Sequence, residues 1–185
     1  MKFKSYDSIQ KQECETEITN IDANIASLFI QTWIPDYLYR SLKDPNFGYA
    51  IFAWDKIIKF SFVVGSPSRC YGAFTSSRLD GLLCLSRIDK IKIEYIATAP
   101  WNYYTIGKMR RIGSGLIFFT IRTSIYSGFA GEFFLNALPD AEKFYESIGM
   151  KATGNINENG LKEYYMKKDK ATAFAEAFKE YVISK

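Results

Sequence analysis

Residues 113–127 restrict the folds open to this chain more than any other segment, because they are apolar nearly all round. A helix of this length without a polar face has to be buried. Strand-like segments flank it at residues 91–99 and 131–136. We therefore expect a helix over residues 113–127 that packs on a β-sheet. Its apolar side chains are Leu116, Ile117, Phe118, Phe119, Ile121 and Ile125.

The pattern along the rest of the chain predicts further helices and strands. Apolar residues at helical spacing predict a helix from Ile21 to Trp33, and Pro35 would open a second short helix. Asn20 or Asp22 lies near the cap of the first one. The other predicted elements are a poorly specified start over residues 1–18, strands over residues 49–54, 57–64, 81–87, 91–99, 131–136 and 161–167, a loop over residues 65–80, and helices over residues 113–127, 139–148 and 171–182.

The order of these elements indicates a mixed sheet. Antiparallel hairpins come first, and a strand–helix–strand crossover, which makes a parallel pair, comes later. The sequence has no internal repeat, low-complexity tract or linker. We expect a single α/β domain over residues 1–185, with a mixed, mostly antiparallel sheet flanked by helices.

The composition excludes several kinds of chemistry. The chain has no histidine, so it has no Ser-His-Asp triad, no Cys-His dyad and no His-ligated zinc. Proton transfer therefore falls to Glu, Asp, Tyr, Lys, Cys or water. Cys14, Cys70 and Cys84 match neither a disulfide framework nor a CxxC metal site. We interpret them as ordinary reduced cysteines, with Cys84 in the core, and we expect no metal.

Charge and hydropathy restrict the partners only weakly. The chain has 24 basic and 20 acidic residues and a net charge of +4, which suits a nucleic acid and a polyanionic small ligand equally. The N-terminus lacks the apolar core of a signal peptide, and no run reaches the roughly 18 apolar residues of a membrane span. We therefore expect a cytoplasmic protein without a membrane partner.

A glycine-rich segment before the predicted buried helix has the clearest chemical character. Gly113 and Gly115 lie just before and inside the first turn of that helix, after a strand. Glycine permits a close approach to backbone, and a helix start offers unpaired N–H groups and a partial positive charge. Lys108, Arg110 and Arg111 add positive charge, so the segment suits a diphosphate. It is neither a P-loop nor a dinucleotide fingerprint, and a glycine-rich turn with solvated basic residues is the alternative.

Two motifs in a fixed order carry a resemblance to a known family. Arg110-x-x-Gly113-x-Gly115, after a strand, has the form Q/R-x-x-G-x-G/A. Downstream, the segment AEKFYESIGM from Ala141 to Met150 has the form A-x-x-F-Y-x-x-x-G-F/M. Together they resemble the motifs of the GCN5-related N-acetyltransferases, the GNAT superfamily. The resemblance covers roughly residues 49–167.

The resemblance implies a sheet whose fourth and fifth strands, here residues 91–99 and 131–136, splay apart. Acetyl-CoA would insert in the gap as a cosubstrate, with its pantetheine on the fourth strand and its pyrophosphate on the start of the helix. The implied cofactor-binding residues are Tyr95, Ile96, Ala97 and Thr98 for the pantetheine, and Arg110, Arg111, Ile112, Gly113, Ser114, Gly115 and Leu116 for the pyrophosphate.

Tyr145 and Glu94 are the catalytic residues that the resemblance implies. Tyr145 matches the family's Phe-Tyr pair and would protonate the leaving thiolate, and a core tyrosine is the alternative. Glu94 would be the base for the amine, directly or through water, and a surface glutamate is the alternative. Period-two alternation puts Glu94 on the face opposite Ile93 and Tyr95. Glu132 is a second candidate for the base.

Two features depart from the family pattern. The loop between Ala99 and Arg110 is long and aromatic, and Leu138 stands where the family often has Asn. Trp101 and Asn102 in that loop are interpreted either as loop anchors in the core or as part of the acceptor pocket.

The sequence therefore predicts an acetyl-CoA-dependent N-acetyltransferase that moves an acetyl group to an amine by direct attack in a ternary complex. The acceptor stays open between a small molecule, a protein amine and an aminoacyl-tRNA. A catalytically silent acyl-CoA-binding module for sensing or assembly is the alternative, and a structural α/β protein is a third interpretation. Exposed aromatic residues in the long loop or on the last helix would suit a homodimer contact.

Overall fold

The computed structural model describes residues 1–44, 51–103 and 109–183. Within these residues nine strands form one sheet, and helices pack on it. The strands are β1 Lys2–Asp7, β2 Gln12–Asn20, β3 Ser68–Thr75, β4 Arg78–Arg87, β5 Ile91–Thr98, β6 Met109–Arg110, β7 Phe133–Ala137, β8 Lys151–Ile156 and β9 Lys162–Met166. The helices are α1 Ala23–Lys43, α2 Trp54–Ser61, α3 Ile112–Tyr126, α4 Glu142–Ser147 and α5 Lys168–Phe178.

The sheet is mixed and mostly antiparallel, as predicted. Its strand order is β6-β1-β2-β3-β4-β5-β7-β9-β8. Among the described strands, every neighbouring pair is antiparallel except β5 and β7, which are parallel. Helix α3 lies in the connection between these two strands, so the predicted strand–helix–strand crossover is confirmed.

A hydrophobic core lies on each face of the sheet. Leu83 of β4 joins the core beneath α3 and α5, which includes the fully buried Leu116. Its neighbour Leu82 points to the other face and joins Trp33 in the core beneath α1 and α2. The central strand is therefore buried on both faces, and the predicted burial of the apolar helix α3 is confirmed.

The N-terminal segment, expected to be poorly specified, is the β1–β2 hairpin, so that prediction is wrong. Phe3, Ser5 and Asp7 alternate into the buried face. The Thr16 hydroxyl donates a hydrogen bond of 2.7 Å to the Ser5 hydroxyl and lies 2.7 Å from the Thr75 hydroxyl. Because polar side chains take buried positions here, the strand period is invisible as hydrophobicity.

Helix α1 is one helix where two were predicted. The Asp22 carboxylate caps it by accepting a hydrogen bond of 2.9 Å from a backbone N–H, as predicted, and the helix continues through Pro35. Trp33 is fully buried just before the proline, and Arg40 bonds Asp36 at 2.6 Å just after it. Packing and this ion pair hold the helix together on both sides of the missing N–H.

The strand predicted over residues 57–64 is wrong, because most of that segment is helix α2. Trp54, Ile58 and Ser61 are buried at helical spacing, whereas Phe60 is exposed. The alternating apolar residues fit a short amphipathic helix as well as a strand.

The loop predicted over residues 65–80 is also wrong, because it contains β3 and the start of β4. A two-residue turn at Ser76 and Ser77 joins them, with φ angles of 48° and 68°. Hairpin turns of this left-handed kind are usually signalled by Asn-Gly, and serine gives no such signal. The strand predicted over residues 49–54 falls partly outside the described residues, and its last residue begins α2.

The predicted elements around the crossover are confirmed to within a few residues. The exposed edge strand β8 was missed because it has no buried side chain and hence no alternation. The confirmed elements are the strands over residues 81–87, 91–99, 131–136 and 161–167, found as β4, β5, β7 and β9, and the helices over residues 113–127, 139–148 and 171–182, found as α3, α4 with a 3-10 turn Pro139–Ala141 before it, and α5.

Candidate functional site

A β-bulge in β5 is the first element of the site. Tyr95 pairs with Cys84 of β4, but the next pair joins Ile93 to Leu85, so Glu94 is an extra residue on the β5 side. An inserted residue bends its strand, increases the local twist and changes the direction of nearby side chains.

Beyond this bulge, β5 and β7 separate. Their parallel pairing covers only Ile91↔Phe133, Lys92↔Phe134 and Ile93↔Leu135, although β5 continues to Thr98 and β7 to Ala137. Within the described chain, no strand pairs with the β7-facing edge of residues 94–97. The predicted splay is confirmed, and it leaves backbone hydrogen-bonding groups open to a ligand.

A narrow cleft of ≈ 70 Å³ lies in this gap. It brings the two sequence-predicted catalytic residues, Glu94 and Tyr145, to one place. Sequence reasoning missed Phe52 and Asn136, which also line it, because no motif covers them and the segment of Phe52 was predicted as a strand. The other lining residues are Ile93, Tyr95, Ile96, Leu135, Leu138 and Ala141.

Tyr145 is held in the cleft by helix α4 and its neighbours. Its side chain is only 6% exposed, and burial raises the pKa of its hydroxyl to about 12. The rings of Phe144 and Tyr164 pack against it, with centroids 5.4 Å and 6.2 Å away. No side chain in the described part of the chain hydrogen-bonds this hydroxyl, so it remains available to a group in the cleft.

Glu94 is tied to two neighbouring side chains. Its carboxylate accepts a hydrogen bond of 2.5 Å from the Ser86 hydroxyl and pairs with Lys92 Nζ at 2.7 Å. Its side chain remains 28% exposed, so water reaches it.

The face predicted for Glu94 is half right. Glu94 does lie opposite the buried Ile93, but it shares a face with Tyr95, because the bulge breaks the alternation. Both residues line a second cavity of ≈ 420 Å³ beside α2. The other residues around this α2-side cavity are Lys56, Ile57, Phe60, Ser68 and Cys84. The second candidate for the base, Glu132, bonds the Lys168 N–H at 3.4 Å and is not among the residues that line the cleft.

The start of α3 continues the line of β5. A methyl group added at Gly113 would meet only Thr98 of β5, at 3.9 Å, so the space in front of this glycine is open. Arg111 occupies the N-cap position of α3, with a φ angle of 74°. The first helical hydrogen bond runs from Gly115 N–H to Arg111 O at 2.8 Å. No described side chain caps the helix, which leaves its first N–H groups, including those of Ile112, Gly113 and Ser114, directed outward.

Gly115 and the buried neighbours of Gly113 have a packing role. A methyl group at Gly115 would overlap the ring of Phe3, which is fully buried. Ile112 and Leu116 are buried in the α3 core, so toward a ligand they offer only backbone.

The two described basic side chains predicted beside this loop lie against aromatic rings. The Arg110 guanidinium lies 5.9 Å from the Tyr6 ring centroid. The Arg111 guanidinium lies 4.0 Å from the ring centroid of Tyr181 and 3.6 Å from Glu13. Lys108 lies outside the described residues.

A buried carboxylate anchors the chain just after β5. Asp80 is fully buried and accepts hydrogen bonds from Arg78 at 2.9 Å and from the Trp101 indole at 2.8 Å. Its backbone carbonyl accepts from Ala99 N–H at 2.9 Å and from the Asn102 amide at 3.5 Å. Trp101 and Asn102 therefore anchor the loop, which is the first of the two interpretations given for them.

Comparison with solved structures identifies this arrangement. The PaiA N-acetyltransferase of Thermoplasma acidophilum, in complex with coenzyme A, superposes with a TM-score of 0.58 over 82% of this chain and 98% of its own, at 16% identity. A GNAT-family acetyltransferase of Staphylococcus aureus Mu50 gives 0.58 over 83% and 99%, at 15% identity. The chain has the fold of the GNAT acetyltransferases. The spermidine N-acetyltransferase of Vibrio cholerae, in complex with CoA and spermine, shares this GNAT fold with a TM-score of 0.59 over 85% and 98%, at 15% identity.

The GNAT fold of this chain is visible in its structure rather than in overall sequence similarity. No protein-family profile matches the sequence, and no curated protein matches it significantly. The described part of the chain contains no helix long and apolar enough to cross a membrane, and no group of three or more metal-ligating side chains.

Proposed function

We propose that this chain is an acetyl-CoA-dependent N-acetyltransferase. The observation that carries the proposal is the edge of β5 that no described strand covers. It begins at Glu94, in the cleft with Tyr145, and leads to the start of α3, which no described side chain caps. Two of the solved structures with this fold hold coenzyme A, and both are named N-acetyltransferases.

The cofactor would lie along this edge. The pantetheine amides would pair with those backbone groups of residues 95–98 that face the gap toward β7, as an added strand does. The pyrophosphate would accept hydrogen bonds from the first N–H groups of α3, where the helix dipole favours negative charge. The open space at Gly113 allows a phosphate to approach the backbone there.

The thioester would then lie beside Tyr145. The acceptor amine attacks the thioester carbonyl in the ternary complex, and a β5 backbone N–H stabilises the oxyanion. Collapse of the intermediate breaks the carbon–sulfur bond, and the Tyr145 hydroxyl donates to the departing sulfur. Because its pKa is about 12, Tyr145 is fully protonated at neutral pH, as this role requires.

Glu94 would remove the proton that the amine loses. An alkyl amine with a pKa of about 10.4 is almost entirely protonated at neutral pH. A base, reached directly or through water, is therefore needed to give the neutral amine that attacks. The α2-side cavity that Glu94 lines offers the acceptor a route to the thioester on the face away from α3. The exposed part of the carboxylate can reach the amine through one water.

The test is turnover of acetyl-CoA with a panel of amines, with polyamines included because a neighbour of this fold holds spermine. Tyr145→Phe should lower kcat by about 10- to 100-fold with little change in acetyl-CoA affinity, since only the hydroxyl is lost. Tyr164→Phe is the matched control: that tyrosine is equally buried and adjacent, but its hydroxyl bonds Glu142 and Glu146 rather than facing the cleft.

Equal losses in the two variants would contradict the acid role of Tyr145. Tight acetyl-CoA binding without turnover for any amine, peptide or aminoacyl-tRNA would favour the alternative, a silent acyl-CoA-binding module.

A further inference from the structure

Cys70 and Cys84 face each other in register across β3 and β4. The Cys70 carbonyl accepts a hydrogen bond of 3.3 Å from Ile21 N–H, on the side away from β4. Because the N–H and C=O of one residue in a strand point to the same side, Cys70 and Cys84 are a non-hydrogen-bonded pair. The Cα atoms of such a pair lie about 4.5 Å apart, within the span of a disulfide.

The two thiols lie on the same side of the sheet. Both side chains belong to the core beneath α1 and α2 and are 4% and 2% exposed. The two thiols are close enough for each to shift the pKa of the other. The remaining cysteine, Cys14, lies on β2 opposite Ser5, away from the pair.

The environment makes the two sulfurs unequal. The hydrogen bond from Cys84 lowers the pKa of the Cys70 thiol, although burial opposes it, and the same bond raises the pKa of Cys84. Cys70 is therefore the first to become a thiolate, which is the reactive form. Cys70 also lines a cavity of ≈ 660 Å³ at the C-terminal end of α2, together with Arg69. Cys84 instead lines the α2-side cavity that Glu94 and Tyr95 share.

We propose that Cys70 and Cys84 are an oxidative modification site, at which a peroxide closes a reversible cross-strand disulfide. The Cys70 thiolate attacks one peroxide oxygen and breaks the O–O bond, which gives a sulfenic acid and hydroxide. The Cys84 sulfur then attacks the Cys70 sulfur, the S–O bond breaks, and water leaves as the S–S bond forms. Two thiols and one hydrogen peroxide thus give one disulfide and two waters.

The position of the pair makes the cross-link easy to reverse. Opposed Cβ atoms in a sheet are about 4.5 Å apart or more, whereas a relaxed disulfide needs about 3.8 Å, so closure pulls the strands together and strains the bond. Strained disulfides are the readily reduced ones. The modification does not depend on the proposed enzymatic function.

The test uses the folded, reduced protein, as wild type and as Cys14→Ala. Each is treated with hydrogen peroxide at equal concentration, free thiols are alkylated, and non-reduced peptides are analysed by mass spectrometry. We expect loss of two thiols per chain in one step, a peptide pair joining Cys70 to Cys84, and full recovery of both thiols after dithiothreitol.

Two single variants test the order of events. Cys84→Ala should accumulate a sulfenic acid on Cys70 that dimedone traps. In Cys70→Ala, Cys84 should react with peroxide at least about tenfold more slowly than Cys70 does in Cys84→Ala. Both thiols still alkylated after peroxide, cross-links only between molecules, or a Cys70–Cys84 bond formed only in denaturant would overturn the proposal. The peptide mapping of the wild type decides whether the disulfide forms, even where a variant fails to fold.

Discussion

Tyr145 illustrates how position alone sets the chemistry of a side chain. Its hydroxyl is nearly out of water, and burial raises its pKa from 10.0 to about 12. The neutral hydroxyl is therefore favoured in the folded state, and the residue remains a proton donor well above neutral pH.

This shift predicts a loss of stability at high pH. The group contributes stability that is fully present below pH 10, its unfolded pKa, and is lost as the pH rises toward about 12. Between these values the wild type should lose about 2 to 3 kcal/mol more than Tyr145→Phe in the free energy of unfolding. Urea unfolding of both proteins at several pH values measures this, and parallel curves would show that the hydroxyl is not desolvated.

Gly113 and Gly115 are two residues apart and should respond oppositely to a methyl group. Gly115→Ala forces the added methyl into Phe3 and should lower the free energy of unfolding by about 1 to 3 kcal/mol. Gly113→Ala meets open space and should leave the free energy of unfolding unchanged or slightly higher. Thermal unfolding of the two variants decides, and equal destabilisation would contradict the distinction between a packing glycine and a ligand-facing one.

At this scale the sequence could identify residues but not their surroundings. Tyr145 and Glu94 are found by motif and by strand membership, and both reach the cleft. The face of Glu94 could not be derived, since a bulge depends on how β4 and β5 pair and not on the residues of β5 alone. Phe52 enters the cleft through tertiary packing that no local pattern records.

Among the elements, β5 has the most demanding position. It pairs fully with β4, only partly with β7, and then turns sharply into the loop that Asp80 holds. The cleft-facing edge of β5 can hold a ligand only if the C-terminal end of the strand stays in a fixed position. The fully buried carboxylate of Asp80 supplies that anchor.

Asp80→Ala should therefore be costly. It leaves the Trp101 indole N–H buried without its acceptor and removes the partner of Arg78, so we expect a loss of about 3 kcal/mol in the free energy of unfolding. Asp36→Ala is the matched control, because its pair with Arg40 is partly exposed and should cost about 1 kcal/mol or less. Chemical denaturation measures both, and similar costs would argue against a structural role for Asp80.

Elements with a clear apolar period could be predicted, and those with polar buried faces could not. Helix α3 is apolar nearly all round, β5 begins with alternating apolar residues, and β7 begins with a short apolar run, so all three could be predicted. Strand β1 buries Ser5 and Asp7, and the β3–β4 turn uses two serines, so neither gave the usual signal.

For the whole molecule, the predicted mixed sheet with splayed strands is confirmed, although the predictions for the N-terminal hairpin, α2 and β3 are wrong. The crossover β5–α3–β7 determines the fold and the cleft together, and its sequence pattern is strong. The N-terminal hairpin extends the sheet away from the cleft, so the error there left the predicted cofactor cleft in place. The error at α2 hid the α2-side cavity, which that helix lines.

The central claim is that the gap between β5 and β7, continued by the start of α3, holds acetyl-CoA. The most direct measurement is a titration with acetyl-CoA that follows the unfolding temperature of the wild type, Gly113→Leu and Thr172→Leu. A ligand at a hundred times its dissociation constant adds about 2.7 kcal/mol, which is a rise of several degrees at this size.

We expect that rise in the wild type and in Thr172→Leu, where the exposed α5 position lies away from the cleft, and its loss in Gly113→Leu, where the side chain blocks the amides of α3. No rise at millimolar acetyl-CoA in the wild type, or an undiminished rise in Gly113→Leu, would contradict the account.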